Sequence, residues 1–192
     1  MNVRIAIVLL PTVVLAATLS RTTHAEPYNV DRVHSAVLYR AGHMGASHSW
    51  GRFNEISGTI ALDEAIPENS AIDISVNAAS IDSGDPKRDE HLRSPDFLSV
   101  KQFPTITFKS TQIRPLDAKT LEVTGDLTLH GVSKPVTVKL ERVGAGQGPM
   151  GGSVIGLETT FKLNRSDFDM KNMLNMIPDE VLLIVSLEAG HK

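Results

Sequence analysis

Apolar and polar positions alternate with period two along most of this chain. Ile72, Ile74 and Val76 share one face, with Asp73, Ser75 and Asn77 on the other. Leu121, Val123, Leu127 and Leu129 oppose Glu122, Thr124, Asp126 and Thr128, and Val136, Val138 and Leu140 oppose Thr137, Lys139 and Glu141. Ile155, Leu157, Phe161 and Leu163 oppose Glu158, Thr160 and Lys162. This is the pattern of antiparallel sheet with one apolar and one wet face. The last strand, Glu180 to Ala189, differs: Val181, Leu183, Val185 and Leu187 are apolar on one face, and Leu182 and Ile184 on the other. Apolar residues on both faces predict a cover outside the sheet, from the segment near Arg88 or from Ser166 to Met176.

Turn chemistry separates the strands. Ile66-Pro67-Glu68-Asn69 and Arg114-Pro115-Leu116-Asp117 read as connections, and His130 to Pro135 as the short loop of a hairpin. Gly144 to Gly152, GAGQGPMGG, reads as a flexible loop. A short helix is predicted over Lys87 to Arg93: Asp85-Pro86 opens it, and Ser94-Pro95 ends it because the residue before proline avoids the α region. About eight or nine strands with short connections predict an all-β fold, an extended antiparallel β-barrel with one or two short helices. Closure removes exposed edges.

The N-terminus adds an address. Arg4 precedes an apolar run from Ile5 to Ala17, too short to span a bilayer, and Thr23-His24-Ala25 supplies small residues before a cleavage point. Residues 1–25 are expected to be a cleaved signal peptide and 26–192 a single domain in the periplasm or secreted. The leader carries Arg4 and Arg21 and no acid, so the 19 basic and 22 acidic residues of the chain leave 17 minus 22, or −5, on the mature part. With no basic run, nucleic acid is not an expected partner. The chain has no cysteine, which excludes disulfides, a thiol nucleophile and thiolate metal ligands together.

Catalytic signatures are missing. The chain has no G-x-S-x-G elbow, P-loop or H-E-x-x-H, and no serine stands beside a base at a sharp turn. Six histidines follow the leader: His34, His43, His48, His91, His130 and His191. None falls in a recognised ligand spacing, and His43 and His48 sit at an odd offset that a regular strand places on opposite faces. No catalytic residue and no metal site are expected. Met170, Met173 and Met176 recur every third residue, as on one face of a helical turn. Such a trio is either core or a soft, adaptable gate over an apolar cavity.

Several segments resemble the YceI family of exported, polyisoprenoid-binding, lipocalin-like proteins. They are His34-Ser35-Ala36-Val37 with His43-Met44-Gly45, then Gly51-Arg52-Phe53 followed by Gly58, then RDEHLRSPDF from Arg88 to Phe97. Phe103 to Phe108, GDLTLHGVSKPV from Gly125 to Val136, and Asn164 to Phe168 follow in the family's order. The resemblance implies a lipocalin-like barrel that holds the tail of a long isoprenoid, and no catalytic step. The family usually has glycine after the Arg-Ser-Asp-Phe motif; here Asp169 stands there, and aspartate tolerates an unusual backbone angle better than most residues.

The expected function is exported binding of a polyisoprenoid, isoprenoid quinone or similar long-chain amphiphile, for transport, storage or stress response, with no cofactor besides that lipid. Size and placement beside the motifs nominate Trp50, Phe53, Phe97, Phe108, Phe161 and Met173 for the tail. Arg88, His91, Arg165 and Asn172 are nominated for the head group, an arginine suiting a diphosphate and a histidine or asparagine a quinone carbonyl. Transient membrane contact and a homodimer are further expectations. Two rivals stand beside this reading: an enzyme acting on a lipid head group through His43 or His91, and a structural stress protein whose interior is filled by side chains.

Overall fold

The alternating runs form antiparallel strands that close on themselves. A computed structural model describes residues 27–63, 65–148 and 151–191; the expected leader lies outside them. The strands are β1 (Tyr28–Val30), β2 (Ala36–His43), β3 (Ser47–Phe53), β4 (Ile56–Ala61), β5 (Ala71–Asn77) and β6 (Ile81–Asp82), followed by helix α1 (Pro86–Arg93). Then come β7 (Thr105–Pro115), β8 (Thr120–Leu129), β9 (Val132–Gln147), β10 (Ser153–Asn164) and β11 (Glu180–His191). Eight of them make a closed antiparallel barrel in the order β1-β4-β5-β7-β8-β9-β10-β11, with β1 paired back onto β11 at Asn29↔Gly190 and Val30↔Ala189. The first half of β11, Val181 to Ser186, pairs instead with β2, and β3 and β6 extend the sheet from there. One end of the barrel is thereby widened.

Helix α1 starts where the chain chemistry sets it. Asp85 caps it, accepting from the Arg88 N–H at 2.8 Å, and Pro86 fills the first turn. Two other loops are tighter than expected. The β8–β9 hairpin turns on His130 and Gly131 alone, both at positive φ, so Pro135 lies within β9. The glycine-rich stretch is strand through Gln147, because Gly144 to Gln147 pair with Ser153 to Gly156.

Burial divides the interior. Ile60, Leu121, Val123, Leu157 and Ala189 are almost wholly buried and pack the end that carries the β4–β5, β7–β8 and β9–β10 connections. The other end is less full, and it holds the cavity described below. Leu182 and Ile184 lie on the outer face of β11. They are half-buried, set beside Arg40 and Leu38 of β2 across the sheet, while α1 lines the cavity.

A polar clasp secures the closure. The Asp31 N–H donates to the Glu188 carbonyl at 2.8 Å, and the Ser35 hydroxyl bonds both the carbonyl and the N–H of Glu188. Asp31, His34 and Glu188 are the one set of metal-capable side chains gathered among the described residues. Their arrangement is that of an ion pair, with His34 Nδ1 2.7 Å from Asp31 Oδ2 and 3.6 Å from Glu188 Oε1. Hydrogen bonding to Asp31 raises the His34 pKa from 6.5, and the same bond lowers that of Asp31 from 3.8. A raised imidazole pKa contributes stability that is complete below 6.5 and lost as pH rises through the folded value. The lowered carboxyl contributes above 3.8 and is lost as pH falls through its folded value. The clasp is therefore fully engaged between those limits. An NMR titration is expected to place the His34 midpoint above 6.5, and Asp31→Asn to bring it down; an unchanged midpoint would refute the pairing.

Candidate functional site

Inward residues of the widened end enclose an apolar cavity of about 330 Å³. Such a volume lies at the small end of the range for small-molecule sites, about 300–1000 Å³. Strand β2 supplies Val37, Tyr39 and Ala41, β5 and β7 supply Val76 and Ile106, β8 supplies Leu127 and Leu129, and β11 supplies Val181 and Leu183. Period two puts these on one face of each strand. Helix α1 contributes Arg88, His91 and Leu92, and Phe97 and Leu98 follow it. Arg165, Met170, Met173 and Ile177 close the remaining side.

Of the residues expected to face a tail, Phe53, Phe97 and Met173 line this cavity. Trp50 does not: it is 50% exposed on the outer face of β3, with the Arg40 guanidinium 5.7 Å from its ring centroid. Trp50 and Phe53 are three apart on one strand, so only one of them can point inward. Phe108 packs against the core without lining the cavity; its ring takes the space that a Cβ on Gly125 would need. Phe161 shares the face of Leu157 and Leu163, yet it too is outside the lining. The β9–β10 ladder ends at Glu158↔Glu141, and Phe161 lies where β10 has parted from β9.

The polar residues also divide. Arg88 and His91 line the cavity. Arg88 donates from Nε and Nη2 to the hydroxyl and carbonyl of Ser83 at 2.8 and 2.7 Å, which leaves further N–H groups free for a ligand. His91 Nε2 is 3.0 Å from Asp96, and its ring meets Phe97 edge to face. Arg165 has a different task. It is 4% exposed, and its guanidinium donates to the carbonyls of Pro178, Met170, Asn172 and Ile177 at 3.2, 3.1, 2.7 and 2.7 Å. Four of five N–H groups are thus spent on the 170–178 loop rather than on a head group. Burial lowers the Arg165 pKa, offset in part by Asp179. Asn172 enters through its backbone carbonyl and is not a lining residue.

Those carbonyls explain why the methionine trio is not helical. A helix would direct them to N–H groups four residues on; Arg165 takes them instead, and the loop runs as turns. Met170 is consequently buried in the cavity wall, Met173 lines the same cavity and Met176 is exposed, so the three do not share a face. Asp169 holds the left-handed conformation expected of it, at φ 58 and ψ 12, and pairs with Lys171 at 2.9 Å.

Tyr39 was not anticipated. Burial pushes its phenol up to about 12, with Asp89 and Asp82 adding to the effect and Arg88 and a hydrogen bond to Ser83 opposing it. At neutral pH it is therefore a protonated donor in the cavity wall, beside Ser83 and Arg88. Gly51 makes this possible: it pairs with Tyr39 across β2–β3, and a Cβ there would collide with the ring and its hydroxyl. The sequence signal was a glycine inside a strand opposite an aromatic residue.

Comparison with known proteins agrees with this architecture. Residues 28–189 match the profile of the YceI-like domain. Protein YceI of Escherichia coli O17:K52:H18 is 39% identical over 166 residues, covering 85% of this chain and 86% of the relative. The crystal structure of Burkholderia cenocepacia BcnA is 25% identical, with a TM-score of 0.76 over 83% of this chain and 99% of that one. A polyisoprenoid binding domain from Saccharophagus degradans is 14% identical, with a TM-score of 0.68 over 86% and 98%, and shares the fold. The domain match spans nearly all described residues and the relatives align over most of their own length, so this chain belongs to the YceI family.

Proposed function

We propose that this chain is an exported carrier of a polyisoprenoid, an isoprenoid quinone or a similar long-chain amphiphile, held with its tail in the barrel. The observation that carries the reading is an apolar cavity open at one end of a barrel whose other end is packed solid. The shared fold with a domain named for polyisoprenoid binding supports the class of cargo. Phe53, Phe97, Met173, Leu127, Leu129 and Leu183 form the tail surface, while Arg88 and Tyr39 face the head group. Each buried methylene contributes about 0.8 kcal/mol, so tail length sets affinity and the polar pair sets selectivity. A neutral phenol beside a guanidinium suits a carbonyl or phosphate oxygen.

Native mass spectrometry of the protein, purified without detergent from an exporting host and then extracted with organic solvent, tests this. A stoichiometric adduct identified as a prenyl chain, quinone or long-chain amide is expected. A clean apo mass, unchanged after incubation with prenols and quinones, would overturn the reading in favour of a barrel without cargo.

A further inference from the structure

A tail held in this cavity enters from the end that is not filled by core side chains. Ile60, Leu121, Val123 and Leu157 fill the opposite end, so cargo enters at the end that carries the β2–β3 hairpin tip and the 170–178 loop. Exposed apolar side chains stand at that end beside polar His48 and Asn175. Met44, at the hairpin tip, is 61% exposed, and Leu174 and Met176 are 39% exposed. The Met44 N–H donates to the Met176 carbonyl at 2.9 Å, which ties the hairpin tip to the loop. Apolar surface thus runs from Met173 and Ile177 in the lining to Met176 outside.

Met44 is held there against backbone preference. The hairpin turns on Met44 at φ 50 and Gly45 at φ 69, with the Ala46 N–H donating to His43. A turn whose two central residues are both at positive φ favours Asn-Gly. A methionine in its first position carries strain, and in the free protein no burial offsets it. Farther down the same hairpin, Arg40 stacks on the half-exposed Trp50. Both lie three residues from the ends of their strands at His43 and Ser47. At about 3.3 Å per residue, the pair stands roughly 10 Å behind the strand ends that carry the tip. An indole and a guanidinium at that depth match the head-group layer when the tip reaches the acyl boundary.

We propose that this mouth is a membrane-docking surface. Met44, Leu174 and Met176 enter the acyl boundary of a bilayer, Trp50 and Arg40 lie among the head groups, and the cavity opens onto the lipid that supplies its cargo. The proposal rests on the carrier reading, because a cavity lined by apolar side chains takes its cargo from a lipid phase.

Trp50 is the only tryptophan of the chain, so its fluorescence reports directly on depth. The purified protein is expected to float with phosphatidylcholine–phosphatidylglycerol vesicles. Its emission should shift to the blue and be quenched by lipids brominated near the head-group end of the acyl chain. Met44→Asn is expected to raise Tm, since asparagine suits the left-handed turn, yet to weaken vesicle binding at least tenfold; Met176→Glu should weaken it similarly. Wild-type protein that stays below the vesicles, or variants that float equally well, would overturn the proposal. So would sedimentation velocity that shows a dimer abolished by both substitutions, which would assign the patch to a second copy. Native mass spectrometry on the same samples separates the two readings. Vesicle binding with no lipid adduct would sink the carrier reading and leave the docking surface standing.

Discussion

Ala41→Trp is expected to empty the barrel of ligand while leaving it folded. Ala41 lies on β2 between Val181 and Ser49 and lines the cavity, so its side chain points into open space rather than into packed core. An indole buries about 150–250 Å² and can turn into a space of this kind without displacing a neighbour. Displacement of only four tail methylenes costs about 3 kcal/mol, or roughly a hundredfold in affinity. The adduct fraction in native mass spectra should therefore fall close to zero, with urea midpoint and slope near those of the wild type. A folded variant that keeps a stoichiometric lipid would show that the tail lies elsewhere.

Arg165→Met is expected to destabilise the protein by about 3 kcal/mol and to loosen the mouth. The guanidinium satisfies four carbonyls of the 170–178 loop from a nearly buried position. A methionine fills similar space but donates nothing, and each buried group left unpaired costs about 1–3 kcal/mol before the loop relaxes to admit water. Relaxation keeps the total well below four times that figure. The Met176 and Ile177 N–H groups, both bonded to the Met173 carbonyl, should lose hydrogen-exchange protection first. Arg165→Lys should recover only part of the loss, because an ammonium is a point donor and cannot reach four carbonyls in a planar fork. A urea-derived loss below about 1 kcal/mol for the methionine variant would mean that the loop holds its shape by packing alone.

Parts of the site were readable from local pattern because each depends on a short stretch of chain. Phe53, Phe97 and Met173 are apolar residues beside turns or motif segments, and all three line the cavity. The Trp50 expectation was correctable from the sequence itself: an offset of three from Phe53 already puts the two on opposite faces. Phe161 was not correctable. Its parity matches Leu163, and its exclusion depends on where β9 and β10 part, which no residue in β10 signals. Arg165 misled for another reason. An arginine at the mouth of an apolar pocket reads as an anion binder, and only the path of the following loop shows that its donors are already committed to four carbonyls. The same bonds split a three-residue methionine spacing, with Met170 and Met173 on the cavity wall and Met176 at the surface.

Period-two alternation, turn residues and the Asp85 cap determined on their own that this chain makes antiparallel strands and one short helix near Arg88. Alternation specifies which side chains share a face, and caps and turns specify where elements stop. The tertiary structure alone decided how far the interior fills. One end closes on β-branched and leucine side chains, whereas the other stays open because β11 leaves β1 to pair with β2 and Arg165 holds a loop at the rim. Those are contacts between residues far apart in sequence, whose partners are set by closure of the ring and not by any local preference.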